Sequence, residues 1–263
     1  MTVIVAVATA DGLVIAADSR TTVSAAGRPT RVVSDYTHKV FECGSCAIGT
    51  YGEAFLGVRN IAAHVGDFVQ QLPPEYEVDR VAADLATFIG PAVDADIASE
   101  GTTLAPGQDV LGFLVAGYQG ALGKVYEVGL PSRTVTQALD SDQGQGALWR
   151  GQTDVIRRLV KGVDFEELLP LETTAQQEAY DELRPLFGGL EYIIKFESMN
   201  LQDAIDFATF AIRTTIDTRR LTHGTFGKPG SWPSVGGPIE IAAVRHGRGF
   251  TWVQRTQLRG ERV

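Results

Sequence analysis

Residues 2–20, TVIVAVATADGLVIAADSR, contain two apolar, β-branched runs joined by Asp11-Gly12. An Asp-Gly pair between two such runs is a strong signal for a two-residue hairpin turn. Both runs are apolar at consecutive positions rather than at alternating ones, which predicts a sheet that is covered on both faces. The stretch therefore predicts a buried β-hairpin with strands over residues 2–9 and 12–18.

The rest of the chain groups into pairs of strands and pairs of helices. Further strand pairs are predicted over residues 39–49, 109–130 and 238–255. Helices are predicted to begin near Thr50, Asp79, Ala147 and Asn200, and a solvated acidic helix is predicted over residues 165–183. Strand pairs and helices that follow each other in blocks predict an α+β fold, a four-layer αββα sandwich of two stacked antiparallel sheets flanked by helices.

The composition indicates one soluble domain that spans residues 1–263. The chain is 44% hydrophobic and has a formal net charge of −9, so we expect no nucleic-acid partner and no membrane partner. The first apolar run is broken by Asp11 and Gly12, which leaves it too short for a signal peptide or a membrane span. We therefore expect a cytoplasmic protein.

Cys43 and Cys46 are the only cysteines in the sequence. Their C-x-x-C spacing is that of a redox pair or of half a zinc site. A second half-site is missing, and Gly44-Ser45 between them is typical of a hairpin turn rather than of a helix start. We interpret both cysteines as small strand residues and expect neither a metal nor a cofactor.

Thr2 is the first candidate for catalysis. If Met1 is removed, Thr2 carries a hydroxyl nucleophile together with a free α-amine that can act as its base. An α-amine has an ordinary pKa of about 7.7–8.0, so it can accept the hydroxyl proton near neutral pH. The sequence contains no serine elbow, phosphate loop, zinc-protease motif or dinucleotide fingerprint that would favour another chemistry.

Three more residues are expected to support Thr2. The hairpin returns Asp18 toward the first strand, and Lys39 opens the third strand. A Lys39 ammonium would lower the pKa of the Thr2 amine, and Asp18 would offset the cost of burying that ammonium. Gly49 precedes the helix predicted to start at Thr50, so its N–H is predicted to bind the oxyanion of a tetrahedral intermediate.

These features resemble those of the proteasome β-type subunits and their bacterial relatives, which are N-terminal-nucleophile hydrolases. The resemblance rests on Thr2, on DGLVIAADSR, on Lys39 opening KVFE, on the AIGTYGEA turn and on SVGGPIEIAAV before the last strand. It covers most of the chain, with longer inserts at residues 21–38 and 162–198. Having no propeptide ahead of the threonine is more similar to the bacterial proteasome-like and ancestral β subunit types.

The resemblance implies the αββα Ntn-hydrolase fold and a threonine-type endopeptidase. Thr2 would be the nucleophile and base, Asp18 and Lys39 the charge pair that tunes it, and Gly49 the oxyanion donor, with no metal. The substrates would be peptides or unfolded proteins, and the subunits would form a homo-oligomeric ring or spiral. An ATPase unfoldase is a further partner that the resemblance allows.

The sequence departs from the family at several positions. Where the family has a serine between two glycines near the threonine amine, this chain has Gly144-Gln145-Gly146. The later aspartate and serine of the family correspond to Asp217 and Ser234, each about one position from the expected place. The residues expected to shape the substrate pocket are Arg20, Val32, Ala47 and Glu53.

Two other functions stay open on the sequence alone. One is a non-catalytic structural or binding ring subunit of the same fold, in which Met1 is retained and Gln145 marks a lost site. A retained Met1 would leave the Thr2 amine acylated and therefore unable to act as a base. The other is an amidohydrolase that uses Thr2 on a small amide.

Overall fold

The computed structural model describes residues 2–23, 31–73, 76–142, 145–164, 174–225 and 233–257. In chain order the strands are β1 (Val3–Thr9), β2 (Gly12–Asp18), β3 (Thr21–Val23), β4 (Arg31–Ser34), β5 (Val40–Cys43), β6 (Cys46–Gly52), β7 (Phe55–Leu56), β8 (Arg59–Asn60), β9 (Leu111–Gln119), β10 (Leu122–Leu130), β11 (Thr134–Asp140), β12 (Gly146–Gly151), β13 (Ile239–Arg245) and β14 (Gly249–Gln254). The α-helices are α1 (Ile61–Val69), α2 (Val78–Glu100), α3 (Asp154–Lys161), α4 (Thr174–Phe187) and α5 (Leu201–Leu221).

The strands form two five-stranded antiparallel sheets. The first sheet has the order β12-β1-β2-β13-β14, and the second has the order β11-β10-β9-β6-β5. The predicted hairpin of β1 and β2 lies inside the first sheet, and every residue in both strands is buried. Two short ribbons, β3-β4 and β7-β8, lie outside the main sheets.

The layers are held by three clusters of buried apolar side chains. One cluster fills the space between the two sheets and includes Ile4 and Ile15. A second cluster packs α1 and α2 against the second sheet, with Leu85 fully buried in it. The third packs α5 against the first sheet through residues that include Ile212. The predicted αββα sandwich is therefore confirmed.

The predicted helix start at Thr50 is wrong. Thr50 lies in β6, where its N–H donates to the Lys39 carbonyl at 2.9 Å. The chain then passes through the β7-β8 ribbon, and α1 begins only at Ile61, with Asn60 as its N-cap. Val58 is 99% exposed at the ribbon turn. Strand pairing with β5 and β9 overrides the local preference for a helix start at Thr50.

The predicted helix start near Ala147 is also wrong. Residues 146–151 form β12, and α3 begins at Asp154. β12 pairs with β1 along its whole length, which places Gly151 opposite Val3. β11 was not predicted, because most of its residues are polar and exposed at the edge of the second sheet.

The other predicted elements are confirmed where the structure describes them. The helix at Asp79 and the strand pairs over residues 109–130 and 238–255 are α2, β9-β10 and β13-β14. Asn200 caps α5 in a reciprocal capping box with Asp203. Residues 165–173 of the predicted acidic helix lie outside the described residues. None of the helices that the structure describes is long and apolar enough to cross a bilayer.

Candidate active site

Asp18 is the centre of the candidate site. Its buried carboxylate at the end of β2 accepts four hydrogen bonds. Oδ1 accepts from the Lys39 ammonium at 2.8 Å and from the Val3 N–H at 3.0 Å. Oδ2 accepts from the N–H groups of Gly236 at 2.9 Å and Arg20 at 3.1 Å. These donors offset the cost of burying the carboxylate completely.

Lys39 lies immediately before β5 and is 4% exposed. Burial lowers the pKa of its ammonium, and the neighbouring Asp18 carboxylate opposes that shift. Because Lys39 and the Val3 N–H share one oxygen of Asp18, the ammonium lies beside the peptide bond between Thr2 and Val3. The structure thus brings Asp18 and Lys39 together next to Thr2.

Thr2 is held in place through its backbone. Its carbonyl accepts from the Gln152 N–H at 2.7 Å, and the N–H of the following Val3 is bound to Asp18. Neither bond uses the Thr2 side chain, and the residue is 5% exposed. These two bonds therefore fix the main chain at Thr2 without using its side-chain hydroxyl. Met1 lies outside the described residues.

Gly151 and Gln152 are neighbours of Thr2 that the sequence analysis missed. Gly151 ends β12 opposite Val3 and has a φ of +82°. A Cβ on Gly151 would lie 1.9 Å from the Thr2 carbonyl oxygen. Only glycine combines this backbone conformation with such a close approach.

Gln145 does not lie where the resemblance placed it. It precedes Gly146, which pairs with Ala8 at the end of β1 farthest from the threonine. In the orientation that satisfies its amide, the Gln145 nitrogen donates to the Phe196 carbonyl at 3.1 Å. Gly144 of the same triplet lies outside the described residues. The prediction that Gln145 and Gly146 lie near the threonine amine is therefore wrong.

The substitution Gly151→Ala is expected to destabilise the protein by about 2–4 kcal/mol, because it adds a backbone clash to an unfavourable positive φ. It is also expected to displace Thr2 and reduce activity. Gly107→Ala is the matched control, because Gly107 has a φ of +76° with nothing within 4 Å of the added Cβ. It should cost only about 1 kcal/mol. Urea unfolding of both variants measures the difference, and equal losses would contradict the close packing at Thr2.

Gly49 lies within β6, opposite Val40 and Leu114. Because no helix begins at Thr50, no helix dipole acts through the Gly49 N–H. A Cβ on Gly49 would lie 2.3 Å from Cδ1 of Ile4, so a larger residue here would force the Ile4 side chain to move between the sheets. The role of Gly49 as oxyanion donor stays a prediction.

Two clefts meet at Thr2. The inner cleft has a volume of about 20 Å³, and its lining includes Thr2, Thr21, His38, Lys39, Thr50 and Glu53. The outer cleft has a volume of about 800 Å³, and its lining includes Thr2, Val23, Glu53, Asp96, Glu100 and Gln152. Residues 51–54 line both clefts. A nucleophile at Thr2 therefore has a small pocket on one side and a long open groove on the other.

The charged side chains of the clefts include Arg20 and Glu53. Arg20 lines the inner cleft and pairs with Asp35 at 2.6 Å, which ties it to the end of the β3-β4 ribbon. Partial burial raises the pKa of Glu53, and repulsion from Glu100 and Asp96 raises it further. Arg20 and Glu53 are thus the two predicted pocket residues that the structure places at the cleft.

The remaining predicted residues lie elsewhere. Val32 is 41% exposed on β4, and Ala47 is buried between the sheets. Asp217 lies on α5, where it pairs with Arg220 at 3.3 Å. Ser234 is buried in the segment before β13. None of these residues lines either cleft at Thr2.

A polar cluster braces the two sheets beside the clefts. Glu127 on β10 accepts from the Arg150 guanidinium at 2.5 and 2.6 Å and from the Tyr51 hydroxyl at 2.5 Å. Burial alone would raise the pKa of Glu127, but the bonds from Arg150 and Tyr51 outweigh it and lower the pKa. Because Tyr51 lines both clefts, this cluster fixes their shared wall.

The cysteines take no part in the site. Cys43 and Cys46 lie opposite each other at the buried end of the β5-β6 hairpin, as the strand interpretation predicted. Burial raises the pKa of Cys43 to about 12 and that of Cys46 to about 11. Neither thiol is therefore ionised near neutral pH, and the thiolate is the nucleophilic form. No group of three or more metal-ligating side chains occurs in the described part of the chain.

No protein-family model matches this sequence, and no curated protein sequence matches it. Solved structures do match over nearly the whole chain. The Gly-1 mutant of Anbu from Hyphomicrobium sp. strain MC1 gives a TM-score of 0.52 at 14% identity, over 96% of this chain and 87% of that one. Anbu from Yersinia bercovieri, described as an ancestral β-subunit, gives a TM-score of 0.52 at 14% identity. The match covers 95% of this chain and 86% of that one.

A third match is the helical assembly of the Anbu complex from Pseudomonas aeruginosa. It gives a TM-score of 0.50 at 20% identity, over 92% of this chain and 81% of that one. Identities this low establish the fold and not the activity. The resemblance to proteasome β-type subunits is therefore confirmed at the level of the fold. The chain has the αββα fold of the Anbu proteins, which are relatives of the proteasome β subunit.

Proposed function

We propose that this chain is a threonine-type peptidase of the proteasome β type, which cleaves peptide bonds with Thr2 once Met1 has been removed. The observation that supports this most is the buried pair of Asp18 and Lys39, joined at 2.8 Å beside the Thr2 backbone and open to a cleft. A buried ion pair at the mouth of a cleft is costly for a merely structural role.

The mechanism begins with the Thr2 hydroxyl. Its proton passes to the free α-amine as the oxygen attacks the substrate carbonyl, and an acyl-enzyme forms when the amide bond breaks. The Lys39 ammonium would favour the neutral amine and would stabilise negative charge that develops on the hydroxyl oxygen. The Gly49 N–H would bind the carbonyl oxygen of the tetrahedral intermediate. Water then hydrolyses the ester and restores Thr2.

The size of the outer cleft supports a proposal for the substrate, and a solved structure of the same fold supports one for the assembly. The outer cleft of about 800 Å³ is large enough for several residues of an extended peptide, which favours peptides or unfolded protein as substrates. The Pseudomonas aeruginosa Anbu complex forms a helical assembly, and we propose a homo-oligomeric ring or spiral for this chain in the cytoplasm. An ATPase unfoldase would then deliver folded substrates.

The decisive experiment determines which residue is N-terminal, from the intact mass, and whether that residue reacts with an electrophile. The intact mass of purified protein is expected to be lower than that of the full chain by one methionine. A peptidyl electrophile that traps N-terminal nucleophiles should then add one label per chain, which peptide mapping should place on Thr2. Retention of Met1, or labelling elsewhere, would contradict the proposal and would favour the non-catalytic subunit.

A small-amide hydrolase is the second candidate. The inner cleft of about 20 Å³ lies far below the usual range for small-molecule sites, about 300–1,000 Å³, so it would admit only the few atoms of a small amide beside Thr2. Turnover of amino-acid amides and of six-residue peptides by the same preparation separates the two candidates. The peptidase proposal expects a higher kcat/KM for the longer substrates, because they also occupy the outer cleft.

A further inference from the structure

Three hairpin turns form a pocket at the end of the sandwich opposite Thr2. They are the turns that follow β5, β9 and β13. The seven residues of β1 run from Thr2 to this end, so at about 3.3 Å per residue the pocket lies about 20 Å from the candidate nucleophile. The pocket has a volume of about 550 Å³, which is within the usual range for small-molecule sites. It is therefore separate from both clefts at Thr2.

The pocket is cationic. Its lining includes Arg245, His246 and Arg248, and no aspartate or glutamate is among the described residues that line it. The whole chain has a formal net charge of −9, so most of its surface favours cations rather than anions. Asp11 lies in the adjoining β1-β2 turn, but among the described residues no carboxylate forms an ion pair with Arg245 or Arg248. The two guanidinium groups thus remain available to an anionic ligand.

Arg245 gives the strongest indication of a ligand. The Nε of its half-buried side chain is itself buried, and it donates to no acceptor in the part of the chain that the structure describes. The side chain passes against the β1-β2 turn, where a Cβ on Gly12 would lie 3.1 Å from Cγ of Arg245. A buried donor without an acceptor is costly, and a bound anion would remove that cost. The planar guanidinium group matches phosphate and carboxylate oxygens through paired hydrogen bonds.

Aromatic rings form another wall of the same pocket. Tyr118 and Phe250 line it together with the ring of His246. The ring centroids of Tyr118 and His246 lie 5.3 Å apart, so these two rings pack against each other. Ring faces of this kind pack well against a flat aromatic group. The pocket therefore combines donors for an anion with a surface for an aromatic ring.

We propose that this pocket binds a small phosphate ester that carries an aromatic ring, such as a nucleoside monophosphate. Arg245 and Arg248 bind the phosphate, and the base packs against Tyr118 and Phe250. Phosphate suits two guanidinium groups better than carboxylate does, because it offers three terminal oxygens and a charge of about −1.5 to −2. The site is independent of the threonine mechanism, since none of its described lining residues lines either cleft at Thr2.

The test is isothermal titration calorimetry of the full chain with AMP, GMP, CMP and UMP. At least one of them is expected to bind with a Kd below about 1 mM. Arg245→Gln should weaken that binding by about 10–100-fold, because it removes charge-assisted hydrogen bonds to the phosphate. Arg245→Lys should weaken it less, since a lysine keeps the charge but not the paired donors. Failure of all four nucleotides to bind at about 10 mM would overturn the proposal.

The controls test the charge and the ring separately. Arg213→Gln removes the same charge from an exposed position on α5 outside the pocket and should leave the affinity unchanged. If it weakened binding as much as Arg245→Gln does, the attraction would be general and the site would be rejected. The matching nucleoside, which lacks the phosphate, and inorganic phosphate, which lacks the ring, should each bind at least about 10-fold more weakly than the nucleotide. Equal binding of either one would overturn the ligand class.

Two further variants keep the result clear. If circular dichroism shows that Arg245→Gln does not fold, Arg248→Gln replaces it, because Arg248 is exposed in the β13-β14 turn. Thr2→Ala should bind the nucleotide with the wild-type affinity. Loss of nucleotide binding in Thr2→Ala would place the ligand in the catalytic clefts and overturn this site, whereas its rate of peptide hydrolysis tests the threonine mechanism alone.

Discussion

Replacing Thr2 with alanine is expected to reduce peptide hydrolysis by at least about 10⁴-fold, which corresponds to about 5.5 kcal/mol of transition-state stabilisation. The substitution removes the hydroxyl that forms the acyl-enzyme but keeps the α-amine. The bonds that hold this segment, from Gln152 to the Thr2 carbonyl and from Val3 to Asp18, are made by the backbone and survive the change. The free energy of unfolding should therefore stay close to that of the wild type.

The measurement is kcat/KM on a peptide reporter, with urea unfolding and sedimentation of the same samples. Thr2→Ser is the matched control, because it retains a hydroxyl beside the amine and should retain measurable turnover. A Thr2→Ala protein with unchanged turnover would exclude Thr2 as the nucleophile. Loss of assembly together with activity would indicate a structural role for the Thr2 side chain. It would contradict the expectation that backbone bonds alone hold this segment in place.

The second large effect is expected at the buried ion pair. Asp18→Ala removes the carboxylate that is 2.8 Å from the buried Lys39 ammonium, and with it the acceptor for the N–H groups of Val3, Arg20 and Gly236. Breaking a buried pair by removing one member typically costs about 3–5 kcal/mol. Asp18→Ala should therefore lose both stability and activity, measured by urea unfolding and by peptide turnover.

Lys39→Met separates the two losses. It removes the ammonium, while Asp18 keeps its three backbone donors, so the stability loss should be smaller than in Asp18→Ala. The double variant Asp18→Asn with Lys39→Met should regain much of the stability, because no charge is left unpaired, but none of the activity. A double variant that recovers turnover would show that the pair serves the fold alone.

The parts of the structure that sequence patterns predicted well are those determined by neighbours in the chain. The Asp11-Gly12 turn, the apolar runs beside it and the Asn200 cap each depend on a few consecutive residues, and all are present. Asp18 could be placed near the first strand because the hairpin itself brings it back. Lys39 was predicted from its place at the head of the third strand and from the charge that a buried ammonium would need, and the structure places it against Asp18.

The parts that were missed depend on pairing between distant segments. Residues 147–151 carry enough helix-forming residues to suggest a helix, but pairing with β1 makes them a strand. Thr153 and Asp154, an N-cap type of residue and an acidic first turn, were the local signal that the helix starts later. Glu240 was not considered, because nothing near it in the sequence indicates that its carboxylate meets His38 and Lys39.

The donors around Asp18 also determine when the site can form during synthesis. Thr2, Asp18 and Lys39 leave the ribosome early, whereas Gly236 lies 218 residues after Asp18 and Glu240 lies 201 residues after Lys39. Until the segment that carries them docks beside β2, the Asp18 carboxylate and the backbone of Lys39 lack bonds that hold them in the finished protein. A nascent chain thus carries Thr2 in an unassembled site, and under the proposed mechanism Thr2 would become reactive only when the last strands complete the first sheet.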